Sequence, residues 1–379
     1  MEPRHVDALL IGGGVAAARC ARALRRSGFS GSIALVAEEE VLPYNRPPLS
    51  KELLRDEVPV DLVLAEPPPW YERRNVELLL GTPVASLDPL ERRATLADGS
   101  HVLFGSCLLA TGAAPRRLDV PGGERALLLR TLADAEELRR RAVAGSWAVV
   151  VGGGFIGVEV SGSLAARGVA VTLICGAPLL WNGSFGSAVS DWAAERLAAA
   201  GVSVRFGELG TEVSEAGVHV GDDVLPADLV IAGVGVLPRV ELAVAAGLAV
   251  DDGVLVDERQ VTSAAGVYAA GDVARPRGDA RVEHWHAARE SGERAGLAMA
   301  GAPVPARRAP WIFSEFAGAK LDVFGLATDD AKELTVGPGI HAWVRAGKVV
   351  QLAILDGALA PDVARELVER RAAADDVPR

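Results

Sequence analysis

Short uninterrupted apolar runs that end in glycine recur along the chain. Ala8-Leu9-Leu10-Ile11 leads into Gly12-Gly13-Gly14-Val15-Ala16-Ala17, a helix-like stretch follows to about Ser27, and a second apolar run occupies Ile33-Ala34-Leu35-Val36. The same succession returns from Ala148-Val149-Val150-Val151 through Gly152-Gly153-Gly154-Phe155-Ile156-Gly157, a helix-like stretch to about Arg167, and Val169-Ala170-Val171-Thr172-Leu173-Ile174. These patterns predict two strand, glycine turn, helix, strand units. Further apolar strands are expected at Leu108-Leu109-Ala110-Thr111-Gly112, Leu229 to Gly235, and Gly266 to Val273. From about Ala306 the runs become short, aromatic and β-branched, as in Trp311-Ile312-Phe313 and Leu321-Asp322-Val323-Phe324, before a helix-like tail from Asp362 to Ala373. That change predicts a small α+β module at the C-terminus.

Each glycine turn has a mechanical rationale. The first glycine permits a tight turn, the second lets a pyrophosphate approach the backbone, and the third small residue lets the helix pack on the strand. Phosphates then meet the positive N-terminal end of the helix. Gly12, Gly14 and Ala17 fill these roles in the first copy, and Gly152, Gly154 and Gly157, with Ile156 beside them, in the second. The strand before and the helix after each turn supply the context the motif requires. Two dinucleotide-binding sheets in one chain are therefore expected.

Composition narrows the field. A chain of 379 residues has room for two or three domains, and no stretch has the unbroken apolar length of a bilayer crossing. A net charge of -11 disfavours nucleic acid and anionic membranes as partners. Cys20, Cys107 and Cys175 show no spacing suited to a dithiol pair or a metal site, so no metal is expected. The start, Met1-Glu2-Pro3-Arg4, lacks the layout of a signal peptide, which makes the cytoplasm the expected location.

Taken together, these landmarks resemble the FAD- and NAD(P)H-dependent reductases with two dinucleotide folds, in the ferredoxin, putidaredoxin and rubredoxin reductase-like branch that lacks a redox disulfide. The most specific piece is Leu42-Pro43-Tyr44-Asn45-Arg46-Pro47-Pro48-Leu49-Ser50-Lys51. Ala110-Thr111-Gly112, Glu159 behind the second glycine turn, Gly271-Asp272 and Val282-Glu283-His284-Trp285 follow in the family's order. The resemblance implies an α/β fold of two Rossmann-like domains plus a small C-terminal α+β interface domain. FAD would occupy residues 1–112 and 241–305, the nicotinamide cofactor (NADH or NADPH) residues 113–240, and the interface domain residues 306–379. It implies an oxidoreductase that takes hydride onto FAD and passes electrons to a ferredoxin-type carrier.

The resemblance also assigns roles. Gly12, Gly14 and Ala17 would cradle the FAD pyrophosphate, with Ala110, Thr111, Gly112 and Gly271 lining the same cofactor and Gly235 the second one. Glu38 is the best candidate for the adenosine ribose, with Glu39 close behind and a solvated turn as the alternative. Arg46 would pair with the diphosphate, Lys51 would lie beside the flavin, and Arg130 would reach FAD or else stand on the surface. Asp272 would bind the ribityl hydroxyls or cap the next helix. Glu159 would lie near Lys51 and the nicotinamide, the alternative being an exposed helix glutamate. Trp285 would pack near the flavin, and His284 and His286 beside it could move protons or be ordinary hydrogen-bonding residues.

Two departures keep alternatives open. Where NADH-preferring relatives end the strand Val171-Thr172-Leu173-Ile174 with an acid, Cys175 stands here, and no basic residue follows to favour NADPH. The histidines flanking Trp285 also depart from the family pattern, so a flavin-dependent oxidase, dehydrogenase or reductase acting on a small-molecule metabolite is a second reading. A nucleotide-sensing interaction protein of the apoptosis-inducing-factor type is a third. The apolar C-terminal module offers a face for a homodimer.

Overall fold

The computed structural model describes residues 3–378. The chain divides into two compact units: residues 1–45, 60–114 and 237–307 form the first, and residues 46–59, 115–236 and 308–379 form the second.

The first unit is built on a sheet whose strands stand in the order Val76–Leu79, Ile33–Val36, Arg4–Ile11, His101–Leu109, Arg93–Leu96 and Val84–Asp88. The first four run parallel. His101–Leu109 is long enough to take two partners along one side: its start pairs antiparallel with Arg93–Leu96, and its end pairs parallel with Val267–Ala269. Helices and strands cover both faces, which is why the central strand reads as a continuous apolar run. Ala8 and Leu10 point into a cluster with Ala17, Cys20 and Leu24. Leu9 and Ile11 point the other way, into a cluster with Leu109, Val254 and Val256. Leu9 and Leu10 are fully buried, so truncating either to alanine costs about 2–5 kcal/mol.

The helix Val15–Arg26 packs along the helix Trp285–Met299 at unusually close range. Gly292 and Gly296, one helical turn apart, make this approach feasible, because a Cβ at either would lie 2.2 and 2.5 Å from the carbonyl oxygens of Ala16 and Cys20. The residues that begin the second helix are thereby fixed relative to the first glycine turn.

The second unit carries a parallel sheet in the order Ser203–Phe206, Ala170–Cys175, Trp147–Val151, Leu229–Ala232. An antiparallel meander, Glu212–Ser214, Gly217–Val220 and Asp223–Pro226, contributes Val213, Val218 and Val220 to a core shared with Val149, Val151, Ile174 and Val230. The helix Phe155–Ala166 packs on strands of the same sheet. Residues from 308 onward form a five-stranded antiparallel sheet, in the order Trp311–Phe316, Ala319–Gly325, Lys348–Leu355, Ile340–Arg345, Lys332–Gly337, closed by the helix Pro361–Glu369.

Two segments fall differently from the sequence expectation. Residues 46–59, expected in the first dinucleotide domain, cluster with the second unit. Hydrogen bonds explain the grouping: Arg167 donates to the Leu54 carbonyl at 3.2 Å, Ser163 to the Ser50 carbonyl at 2.7 Å, and Arg139 pairs with Asp56 at 2.7 Å. Residues 308–379 also join the second unit, although they keep their own sheet and core. There Gly162 admits the neighbouring backbone, since a Cβ on it would stand 2.8 Å from the Ala317 nitrogen.

Candidate functional site

In the first glycine turn the three small positions do different physical work. Gly12 adopts φ +130°, and a Cβ there would lie 2.1 Å from the Ala110 carbonyl oxygen, so only glycine lets the turn close on the neighbouring strand. Gly14 directly precedes the helix Val15–Arg26, and a Cβ on it would meet nothing within 4 Å. Ala17, on the buried face of that helix, is completely inaccessible to solvent. Backbone N–H groups at a helix N-terminus, with an open approach at Gly14, suit a dinucleotide's pyrophosphate, so the residues present fit the cofactor that the sequence pattern implies.

The other first-unit candidates gather around this turn. The Ala110 N–H donates to the Ile11 carbonyl at 2.8 Å, and Thr111 Oγ1 donates to the Arg239 carbonyl at 2.8 Å. Gly112 takes φ +71° and its carbonyl accepts from the Arg239 N–H. Gly271 lies against the start of the first helix, where a Cβ would come within 3.1 Å of the Ala16 methyl, and its N–H donates to Ser291 Oγ at 2.9 Å. Asp272 is half-buried, and its carbonyl accepts from Arg281 at 3.1 Å. No α-helix starts at this residue: a three-residue 3₁₀ turn, Gly271–Val273, is followed by the strand Ala274–Pro276, and the next α-helix starts at Trp285. Glu38 is exposed and pairs with Arg239 at 2.5 Å, a contact the sequence pattern did not signal.

Trp285 opens its helix with an indole N–H that donates to Asn45 Oδ1 at 2.8 Å, while the Arg289 guanidinium lies over its ring at 4.4 Å. Asn45 in turn donates to the Val63 carbonyl at 3.1 Å, which fixes the side chain that holds the indole. His286 meets the Trp285 ring edge-on at 4.8 Å, and the His284 and His286 rings lie nearly parallel, 6.4 Å apart. Glu283 pairs with Arg281, yet its burial outweighs this attraction and pushes its carboxyl above the ordinary glutamate range.

The second glycine turn repeats the design. Gly152 has φ +116°, and a Cβ there would lie 2.4 Å from the Gly233 carbonyl oxygen. Gly154, before the helix Phe155–Ala166, faces open space apart from that oxygen at 3.7 Å. A Cβ at Gly157 would strike the Gly152 carbonyl at 1.8 Å, the close helix-to-strand packing that the third position exists for. Ile156 sits beside Gly233, and Gly235, at φ +97°, accepts from the Arg116 N–H at 2.9 Å. The Arg46 guanidinium donates to the Arg130 carbonyl, and the Arg130 N–H donates to Asp134, within the capping box that starts the helix Leu132–Arg141.

The strongest polar constellation lies behind this turn. Lys51 and Glu159 are 3% and 4% exposed, which places both charges out of reach of water. Lys51 Nζ stands 2.6 Å from Glu159 Oε2, Ser50 Oγ donates to the same oxygen at 2.5 Å, and Ser314 Oγ donates to Oε1 at 2.7 Å. The Phe313 ring lies 5.8 Å from the ammonium. Glu159 is therefore no surface glutamate: three donors from two chain segments satisfy it, as a buried charge requires. Sequence reasoning singled out Lys51 and Glu159 but missed Ser50 and Ser314. The only trace was a serine in the marked segment Pro47-Pro48-Leu49-Ser50-Lys51; Ser314, just past the apolar run Trp311-Ile312-Phe313, left none.

Two glycine turns opening before helix N-termini in one chain, one backed by a buried lysine–glutamate pair, fit a two-dinucleotide flavoprotein. The chain belongs to the pyridine nucleotide-disulphide oxidoreductase family, whose pattern matches residues 6–292. It is an oxidoreductase that uses FAD and NAD(P)H. The family's name notwithstanding, its three cysteines are buried and free. Among similar proteins are a rubredoxin-NAD(+) reductase of Pseudomonas putida, 34% identical over 85% of this chain and 87% of the relative. The ferredoxin–NAD(+) reductase component of a biphenyl dioxygenase system from Paraburkholderia xenovorans is 35% identical over 92% and 87%. The structure of a covalent putidaredoxin reductase–putidaredoxin complex matches with a TM-score of 0.93 at 30% identity, covering 97% of this chain and 93% of the other. Among the described residues no helix is long and apolar enough to cross a membrane.

Proposed function

We propose that the chain accepts hydride from NADH or NADPH onto FAD and delivers electrons to a ferredoxin-type iron-sulfur protein. FAD supplies a centre that takes up two electrons together and releases them singly. Gly12, Gly14 and Ala17 hold its pyrophosphate, Gly271 and Asp272 bind its ribityl side, and Ala110, Thr111 and Gly112 line the same cradle. Glu38, Arg46, Arg130 and Trp285 are further FAD contacts in this reading. Gly152, Gly154, Ile156, Gly157 and Gly235 receive the nicotinamide dinucleotide. Lys51 and Glu159 compensate charge as hydride moves, and His284 and His286 are candidates for proton exchange near neutral pH.

The observation that carries the proposal is the duplication itself: each glycine turn joins one position that only glycine can fill to another left open in front of a helix N-terminus. The names of the relatives, which pair such enzymes with rubredoxin, putidaredoxin and ferredoxin, support the choice of acceptor. The test is NAD(P)H-driven reduction of cytochrome c with and without an added [2Fe–2S] ferredoxin. Turnover should rise in proportion to ferredoxin. A rate indifferent to ferredoxin, with turnover only on a small organic acceptor, would contradict the proposed acceptor and favour the metabolite-directed alternative.

A further inference from the structure

In a dinucleotide fold the residue at the end of the second strand discriminates at the adenosine 2′ position. A carboxylate there accepts hydrogen bonds from ribose hydroxyls and repels a 2′-phosphate, whereas a nearby arginine attracts the phosphate. In the second unit this strand is Ala170–Cys175, and it ends in a thiol. Cys175 is 2% exposed and turned inward: a Cβ on Gly153 would lie 2.4 Å from its sulfur, and the thiol donates to the Leu179 carbonyl at 3.5 Å. Burial raises its pKa, so the group is uncharged at neutral pH.

The segment that follows the strand adds no charge of its own. From Cys175 through Ser190 the sequence contains no ionisable residue but Cys175 itself. Gly176 is instead covered by Leu209, whose Cδ2 would stand 2.5 Å from a Cβ at that position. The arginine on the neighbouring strand, Arg205, is held by Glu208 at 2.7 Å and Asp223 at 3.9 Å, so its charge is already met. The strand's end thus offers neither a carboxylate to accept from the ribose hydroxyls nor an unpaired arginine to attract the phosphate.

Resting on the reading of the second unit as the nicotinamide site, we infer that this enzyme does not discriminate between the 2′-hydroxyl and the 2′-phosphate, and that Cys175 and Leu179 are the positions that set this indifference. NADH and NADPH are then both substrates of comparable efficiency. The test uses the full-length, flavin-loaded protein, with NAD+ and NADP+ affinities from calorimetry and flavin reduction by NADH and NADPH from anaerobic stopped flow. Both ratios should fall within tenfold of unity. Cys175→Glu should weaken NADP+ at least tenfold relative to NAD+, and Leu179→Arg should shift the ratio at least fivefold the other way. Because a glutamate at a buried position risks misfolding, the half-buried Leu179→Arg and the unaltered protein carry the test independently. A preference above tenfold in the unaltered protein, in either direction, overturns the inference and leaves the hydride-accepting function standing. Failure of both nucleotides to bind or to bleach the flavin overturns both.

Discussion

Removing both charges of the Lys51–Glu159 pair together should cost less than the sum of the two single losses. Glu159 accepts at 2.6, 2.5 and 2.7 Å from Lys51, Ser50 and Ser314, inside a site where it is 4% exposed. In Glu159→Gln the ammonium keeps only uncharged acceptors: the new amide oxygen, the Pro47 carbonyl at 3.2 Å and the Ser50 hydroxyl at 3.5 Å. A buried charge stripped of its partner destabilises by about 3–5 kcal/mol, and Lys51→Met should do the same by stranding the carboxylate. The double variant, with no charge left to bury, should lose less than the sum of the two, with a coupling of about 0.5–3 kcal/mol. The assay is urea unfolding of the flavin-loaded protein followed by tryptophan fluorescence, with the dependence on urea compared among variants to confirm that the same transition is measured. Single losses that add to within about 0.5 kcal/mol in the double variant would refute the reasoning.

Other predictions separate fold from function. Gly14→Ala should leave the flavin-free protein as stable as before, because its Cβ enters open space, yet weaken FAD by about tenfold or more, a cost of about 1.4 kcal/mol. Gly12→Ala should prevent the first unit from folding, as its Cβ would collide with the Ala110 carbonyl at 2.1 Å; soluble protein with normal FAD content would contradict this. His341 is buried on the strand Ile340–Arg345, and burial lowers its pKa. The unfolded chain therefore binds a proton that the folded one resists, so stability should be greatest above pH of about 6.5 and decline as the pH falls below it. His341→Asn should flatten that slope in thermal melts between neutral and mildly acid pH, and an unchanged slope would rule the residue out.

The architecture was largely legible because its determinants are local. Four-residue apolar runs such as Ala8–Ile11, backed by glycine turns, announce strands covered on both sides, and the observed strands Arg4–Ile11, Ile33–Val36, Trp147–Val151 and Ala170–Cys175 lie where the runs do. What escaped depends on distant chain segments. Ser314 reaches Glu159 across 155 positions and Trp285 reaches Asn45 across 240, and no periodicity encodes such pairings. The grouping of residues 46–59 with the second unit is of the same kind, since it follows from the side-chain hydrogen bonds of Arg139, Ser163 and Arg167. At Asp272 a glycine–aspartate pair after a strand suggested a helix start. The proline at Pro276 and the turn beyond it instead postpone the helix to Trp285.

The most direct measurement is the visible spectrum of the purified protein, recorded without oxygen before and after addition of NADH or NADPH. The account predicts flavin absorption bands at about one FAD per chain, bleached within the first turnover by a nicotinamide donor and restored by an oxidised [2Fe–2S] ferredoxin. A folded protein that is colourless and takes up no added FAD, or a yellow one that neither nucleotide reduces, would contradict it.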